Sequence, residues 1–164
     1  MIKKINILIL TMLGIGYSKY APGTVASFVT YLAYVFFYVF QINIFFLILT
    51  LIFIFIYSVY AIDQLKNYFE QIDTKEIVID EFIGQSIPIL TIYSIIEENN
   101  LGDFILYTFI SFILFRIFDI AKPYPIGKID KNMKNGFGVI LDDIVAGIYS
   151  IVTLSIIISL IQYG

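Results

Sequence analysis

An all-α fold, a small polytopic membrane helical bundle of about five spans, is what this sequence predicts, and three observations predict it. The first is composition: 60% of the 164 residues are hydrophobic, against roughly 45 to 50% in soluble domains, and the mean hydropathy is +0.92. The second is pattern, because long apolar runs alternate with short polar segments at the ~20-residue scale of a bilayer helix. The third is scarcity of charge, which at 14% makes each acidic or basic cluster between apolar runs a functional candidate. A chain of this length forms one domain, 1–164.

Cys and His are both absent. This excludes disulfides, thiolate nucleophiles, imidazole acid–base chemistry and Cys/His zinc sites. Carboxylate, amine, guanidinium and hydroxyl groups remain, and the metal that suits them is a hard, oxygen-seeking ion such as magnesium.

In chain order, residues 1–13 place Lys3 and Lys4 before a short apolar run, as a signal peptide would, but no small-residue cleavage site follows. A surface helix is expected there. GIGYSKYAPGTVAS comes next, where Gly14, Gly16, Pro22 and Gly23 interrupt regular structure. It reads either as a plain turn before the first span or as a phosphate-cradling loop with Lys19 and Thr24 as donors.

Two apolar runs, 25–40 and 44–62, are separated by Gln41, Ile42 and Asn43, the pattern of a tight transmembrane hairpin. Their many aromatic residues are assigned to lipid-facing and interfacial packing. Residues 63–76, DQLKNYFEQIDTKE, read as a water-exposed continuation of the second span. The third run, IVIDEFIGQSIPILTIYSII at 77–96, carries Asp80, Glu81 and Gln85 in an apolar context. A mid-membrane Asp costs roughly 2.5 to 3.5 kcal/mol on insertion scales. Such a cost is met either by a salt bridge or helix-end position, or by function.

An acidic loop at 97–103 precedes a span at 104–121. The stretch RIFDIAKPYPIGKIDKNMKNGFGVILDDIVAG, residues 116–147, then gathers Arg116, Asp119, Lys122, a basic loop with Lys128, Lys131 and Lys134, and the pair Asp142 and Asp143. Pro123 and Pro125 are expected to end the preceding helix, and Gly136 and Gly138 to loosen the backbone before a last span at 144–161.

Counting cations gives the topology. If 63–76 is cytoplasmic, all ten Lys and Arg lie on or near that side, and the segments 41–43, 97–103 and the tail after Ile161 carry none, as the positive-inside rule requires. The Gly-rich loop, Asp80 and Glu81, Asp119 with Lys122, three apart and so able to share a helix face, and Asp142 with Asp143 then converge at the cytoplasmic face. Carboxylates beside Lys, Arg and a Gly-rich turn describe a site for a phosphate and a hard cation. Adjacent residues on a helix point about 100° apart, so one of Asp142 and Asp143 should aim at the metal and the other support it.

The segments GIGYSKYAPGT, IDEFIGQ, FRIFDIAKPYPIG and GFGVILDDIVAG resemble, in order and spacing, the motif set of the phosphatidylglycerophosphatase A family. The resemblance implies a helical enzyme of the bacterial inner membrane that uses Mg2+ to remove the terminal phosphate of phosphatidylglycerophosphate, leaving phosphatidylglycerol. Carried over by position, it implies catalytic roles for Asp80, Glu81, Asp119, Asp142 and Asp143. Phosphate contacts fall to Thr24, Gln85, Arg116 and Lys122, and metal ligation to Asp80, Glu81, Asp142 and Asp143. Ser18, Lys19 and Tyr20 stand where smaller residues are expected, so Lys19 is not carried over.

The implied partners are the lipid substrate and the bilayer, with no nucleic acid and no protein. A transferase using CDP-linked lipids would show a DGxxAR run followed by GxxxDxxxD, and neither is present. The alternative from another class is a small ion-coupled transporter. Against it, the acids lie toward one face instead of the midplane, and no inverted repeat appears.

Overall fold

The computed structural model describes residues 2–65, 75–97 and 100–163. Nine of the polar residues expected to continue the second span, 66–74, and residues 98 and 99 of the acidic loop lie outside the described residues. Among the described residues the chain is helical throughout: α1 (Ile2–Leu10), a 3-10 turn (Ile15–Tyr17), α2 (Pro22–Val39), α3 (Ile44–Leu65), α4 (Ile79–Ile95), α5 (Leu101–Ala121), α6 (Ile126–Asn132) and α7 (Gly136–Tyr163).

Among the described residues four helices are long and apolar enough to cross a membrane: Pro22–Val39, Ile44–Leu65, Leu101–Ala121 and the Gly136–Leu160 portion of α7. The chain is a membrane protein, as its composition requires. The remaining apolar segment, α4, is shorter at 17 residues and begins with two acids. It is the central helix, packed against α2, α3, α5 and α7, with Ile83, Ile89 and Ile92 buried among protein side chains. The outer helix α3 does the opposite, exposing Phe45, Phe46, Leu49, Phe53 and Ile56. In a bilayer such a surface faces lipid, where exposed apolar area carries no penalty.

One end of the bundle is closed by aromatic packing. The Tyr38 and Phe104 rings stack at 3.9 Å, Tyr38 donates to the Glu97 carbonyl, and Tyr93 donates to the Ile42 carbonyl at 2.7 Å. These bonds tie the α2–α3 hairpin to the far end of α4. Asn100 caps α5 there by accepting from the Asp103 N–H.

The opposite end is built differently from the expected loops. The basic loop contains a short helix, α6, whose Ile126 is fully buried. Gly136 and Gly138 do not loosen the backbone but form the first turn of α7, so that helix starts well before residue 144. Asn135 accepts from the Gly138 N–H at 2.8 Å, and Asp63 of α3 accepts from the Gly136 N–H at 2.8 Å. Two side chains thus satisfy orphan donors at the helix start, and glycine is needed because a Cβ on Gly136 would fall 2.4 Å from the Val59 carbonyl oxygen.

The first Gly-rich turn divides into two parts. Gly14, with φ of 98°, and Gly16 shape a connection that packs on the entry to α4. A Cβ on Gly16 would lie 1.9 Å from the Glu76 carbonyl oxygen, and the Val78 N–H donates to the Leu10 carbonyl. That half is structural, and Lys19 beside it is exposed. Gly23 belongs to the site.

Candidate active site

Four helix ends meet at this end of the bundle: the starts of α2 and α4, the end of α5 and the early turns of α7. Asp80 and Glu81 occupy the first turn of α4, where the positive end of the helix dipole favours carboxylates. Asp143 reaches them from α7. One carboxylate oxygen from each of Asp80, Glu81 and Asp143 lies within 4.8 Å of the others.

Asp142 lies outside that group of three. Its Oδ2 accepts from Lys122 Nζ at 2.7 Å, while Asp143, one residue on, turns to α4. The 100° step between neighbours separates the two acids.

Lys122 does not share a helix face with Asp119. It caps α5 in the left-handed conformation, φ 44°, so helical spacing no longer governs its direction. Its ammonium bridges Asp142 and, at 3.1 Å, Asp130 of α6. Burial draws its pKa down, but the hydrogen bonds and charges of Asp142 and Asp130 outweigh it and hold it above its ordinary value. It remains a cation through the physiological range.

Asp119 pairs instead with Arg116, Nη1 to Oδ2 at 2.7 Å, one turn apart on α5. The same Nη1 lies 3.8 Å from Glu81 Oε1 and 3.4 Å from Ser27 Oγ. Arg116 therefore joins α5 to both α2 and α4. The approach of α2 depends on Gly23, because a Cβ there would fall 1.9 Å from Glu81 Oε1 and 3.3 Å from Arg116 Nη1. Thr24 follows in that first turn, half-buried, and no side chain caps the start of α2.

Gln85 lies one turn beyond Glu81, fully buried, and neither of its amide atoms has a hydrogen-bond partner among the described residues. Glu81 Oε2, Asp143 Oδ2 and Arg116 Nε are likewise buried without one. Buried polar atoms of this kind normally find partners. They concentrate at this end of the bundle, around Glu81, Gln85, Arg116 and Asp143.

Gly23 stands in the loop read from sequence as either a plain turn or a phosphate cradle, whereas Ser27, Gly84 and Asp130 join the site here without having been singled out by sequence reasoning. Asp130 carried a signal, as the one acid amid the lysines of the basic loop. Ser27 lies one turn after Gly23 on α2, a spacing legible once Gly23 is placed.

With this geometry in view, comparison with known proteins is decisive. The sequence profile described as phosphatidylglycerophosphatase A matches residues 8–158. The chain belongs to the phosphatidylglycerophosphatase A family. It is 32% identical over 154 residues to a Bacteroides thetaiotaomicron protein provisionally named phosphatidylinositol-3-phosphatase, covering 92% of this chain and 91% of that one. Over 91 residues it is 40% identical to phosphatidylglycerophosphatase A of Haemophilus influenzae, covering 56% of this chain and 48% of the relative. Over 78 residues it is 38% identical to the Escherichia coli protein of the same name, covering 48% and 41%. No solved structure matches.

Membership makes the protein a phosphatase acting on a phosphate monoester in phospholipid metabolism. The transporter reading gives way to it.

Proposed function

We propose that the protein hydrolyses phosphatidylglycerophosphate to phosphatidylglycerol and phosphate, with Mg2+, at the cytoplasmic face of a bacterial inner membrane. The observation that carries this reading is the union of family membership with the carboxylates of Asp80, Glu81 and Asp143 beside Arg116. The full-length relative with a different named lipid substrate makes phosphatidylinositol 3-phosphate the competing headgroup.

The donor set fits a magnesium ion. Three hard carboxylate oxygens gather within 4.8 Å of one another, and Glu81 Oε2 and Asp143 Oδ2 are buried without partners among the described residues. Magnesium is characteristically held by a few carboxylates plus substrate phosphate. Charge points the same way: Asp80, Glu81, Asp119, Asp130, Asp142 and Asp143 surround the two cations Arg116 and Lys122. A phosphate dianion would be repelled from that surplus unless a further cation joined it. A bound Mg2+ supplies Lewis acidity toward the phosphoryl oxygens.

The chain's own residues have the remaining tasks. Arg116, fixed by Asp119 and beside Glu81, offers its unpartnered Nε and its delocalised charge to phosphate oxygens. Lys122, held protonated, contributes charge and not a proton. Asp142 and Asp130 keep that ammonium in place. The uncapped first turn of α2, with Thr24, presents donors at the positive end of a helix dipole. A lipid whose chains stay in the leaflet could present a terminal phosphate to this boundary without leaving the membrane.

The test is direct. Purified protein in detergent is incubated with phosphatidylglycerophosphate or phosphatidylinositol 3-phosphate, with Mg2+ or excess chelator, and released phosphate is measured. Turnover of phosphatidylglycerophosphate in Mg2+ alone is expected. Preference for the inositol lipid would move the substrate to that headgroup, and full activity in chelator would remove the metal from the mechanism.

A further inference from the structure

The three carboxylates come from two helices, so their spacing is only as fixed as the contact between α4 and α7. That contact is made by glycines. A Cβ on Gly84 would fall 2.6 Å from the Asp143 carbonyl oxygen and 2.8 Å from the Asp143 Cβ, and one on Gly147 would fall 2.4 Å from the Gly84 carbonyl oxygen and 3.4 Å from Pro88 Cδ. Gly84 is four residues after Asp80, and Gly147 four after Asp143. Residues four apart stack on one helix face, so Gly84 lies one turn beneath Asp80 and directly against the Asp143 backbone, and Gly147 one turn beneath Asp143.

We propose that Gly84 and Gly147 are positioning residues that size the carboxylate group for a small, hard divalent cation. The inference rests on the magnesium reading above and deepens it. Its logic is steric. The atoms met first by an added methyl are backbone carbonyl oxygens, which cannot rotate away as a flexible side chain can. An ordinary carbon-to-oxygen contact is about 3.3 to 3.6 Å, so either alanine would have to drive the helices apart by roughly 0.7 Å or more. Mg–O bonds are about 2.0 to 2.1 Å and Ca–O bonds about 2.3 to 2.6 Å. The forced displacement exceeds that difference. A pocket opened by so much would hold a larger ion at least as well and magnesium worse.

The experiment uses the full chain in detergent micelles. Apparent affinities for Mg2+ and Ca2+ are measured from metal-dependent thermal stabilisation, and by displacement of Mn2+ followed by electron paramagnetic resonance. Wild type should favour Mg2+ over Ca2+. Gly84→Ala and Gly147→Ala should each weaken Mg2+ by about tenfold or more while Ca2+ binding is kept, so the ratio shifts toward the larger ion.

Two controls separate spacing from stability. Gly102→Ala, which has no atom within 4 Å of its would-be Cβ, should change nothing, and Gly138→Ala, whose Cβ would fall 2.0 Å from the Met133 carbonyl oxygen, should lower stability without moving the ratio. An unchanged ratio in whichever alanine variants at 84 and 147 fold would overturn the proposal. So would loss of folding in both while Gly138→Ala folds, since the contact would then serve stability alone. Absence of any Mg2+ stabilisation in wild type would instead sink the magnesium reading itself.

Discussion

Lys122 Nζ lies 2.7 Å from Asp142 Oδ2, and this pairing divides two adjacent acids between two tasks. Asp142 holds a cation supplied by the chain, whereas Asp143 faces Asp80 and Glu81. Asp142→Asn should therefore lower kcat/KM while leaving Mg2+ binding close to wild type, and Asp143→Asn should lose Mg2+ binding and turnover together. A charged hydrogen bond contributes about 1.5 to 3 kcal/mol, so the first variant should be down by roughly 10- to 100-fold at ~1.4 kcal/mol per decade. Steady-state kinetics beside a metal-binding measurement checks both.

Lys122 should also differ from the lysines around it. Lys131 on α6 is exposed, whereas Lys122 is fixed by Asp142 and Asp130. Lys122→Ala is expected to cost at least about tenfold in kcat/KM, and Lys131→Ala to stay within about twofold at moderate salt, where exposed charges are screened. Equal losses would reduce the basic segment to a diffuse attraction for anionic lipid.

Much of this was legible in the sequence, for definite reasons. The apolar runs are long and their polar interruptions sharp, so the helices at 22–39, 44–65 and 101–121 follow from hydropathy and turn residues. The polar residues could be gathered at one end because charge is scarce enough for each cluster to stand out. What the sequence hid was direction. Helical spacing placed Lys122 beside Asp119, but the left-handed turn at Lys122 sends its side chain to α7. Glycines were equally ambiguous: Gly136 and Gly138 look like a flexible loop, yet they open a helix where neighbouring backbone leaves no room for a Cβ. Partners distant in sequence, such as Asp63 for the Gly136 N–H and Arg116 for Glu81, have no local signature at all.

Arg116 gives a test of geometry apart from charge. Its Nη1 serves Asp119, Glu81 and Ser27 while its Nε stays open for substrate, a division between two nitrogens that a single ammonium cannot reproduce. Arg116→Lys should keep the fold and lose activity by about tenfold or more, the scale of one charged hydrogen bond. Wild-type kinetics in that variant would show that only positive charge is needed there.

Gly23 tests how closely α2 must approach. An added methyl would meet Glu81 Oε1, the end of a flexible side chain, at 1.9 Å. Side-chain movement can relieve that clash more cheaply than backbone movement, so Gly23→Ala should fold, with Glu81 displaced from Asp80 and Asp143. Melting temperature should fall by only a few degrees, consistent with about 1 kcal/mol or less in a chain of this size, while turnover drops sharply. A variant as active as wild type would mean that the close approach of α2 to Glu81 has no part in catalysis.

The orientation of the site is testable because the chain has no cysteine, so a single introduced thiol reports by itself. Lys131 on α6 and Gln41 in the α2–α3 turn are both exposed and lie at opposite ends of the bundle, the first near Lys122 and the second near Tyr93. All the Lys and Arg near the site, including Arg116, Lys122, Lys128, Lys131 and Lys134, sit at the first end, and cations are retained on the cytoplasmic side during insertion. Lys131→Cys should therefore resist a membrane-impermeant maleimide applied outside intact inner-membrane spheroplasts, and react once the membrane is opened or inverted. Gln41→Cys should react in intact spheroplasts and be protected only in sealed inverted vesicles. If Lys131→Cys is labelled from outside in intact spheroplasts, the polar end faces away from the cytoplasm, and a substrate presented in the cytoplasmic leaflet could not reach Asp80, Glu81 and Asp143.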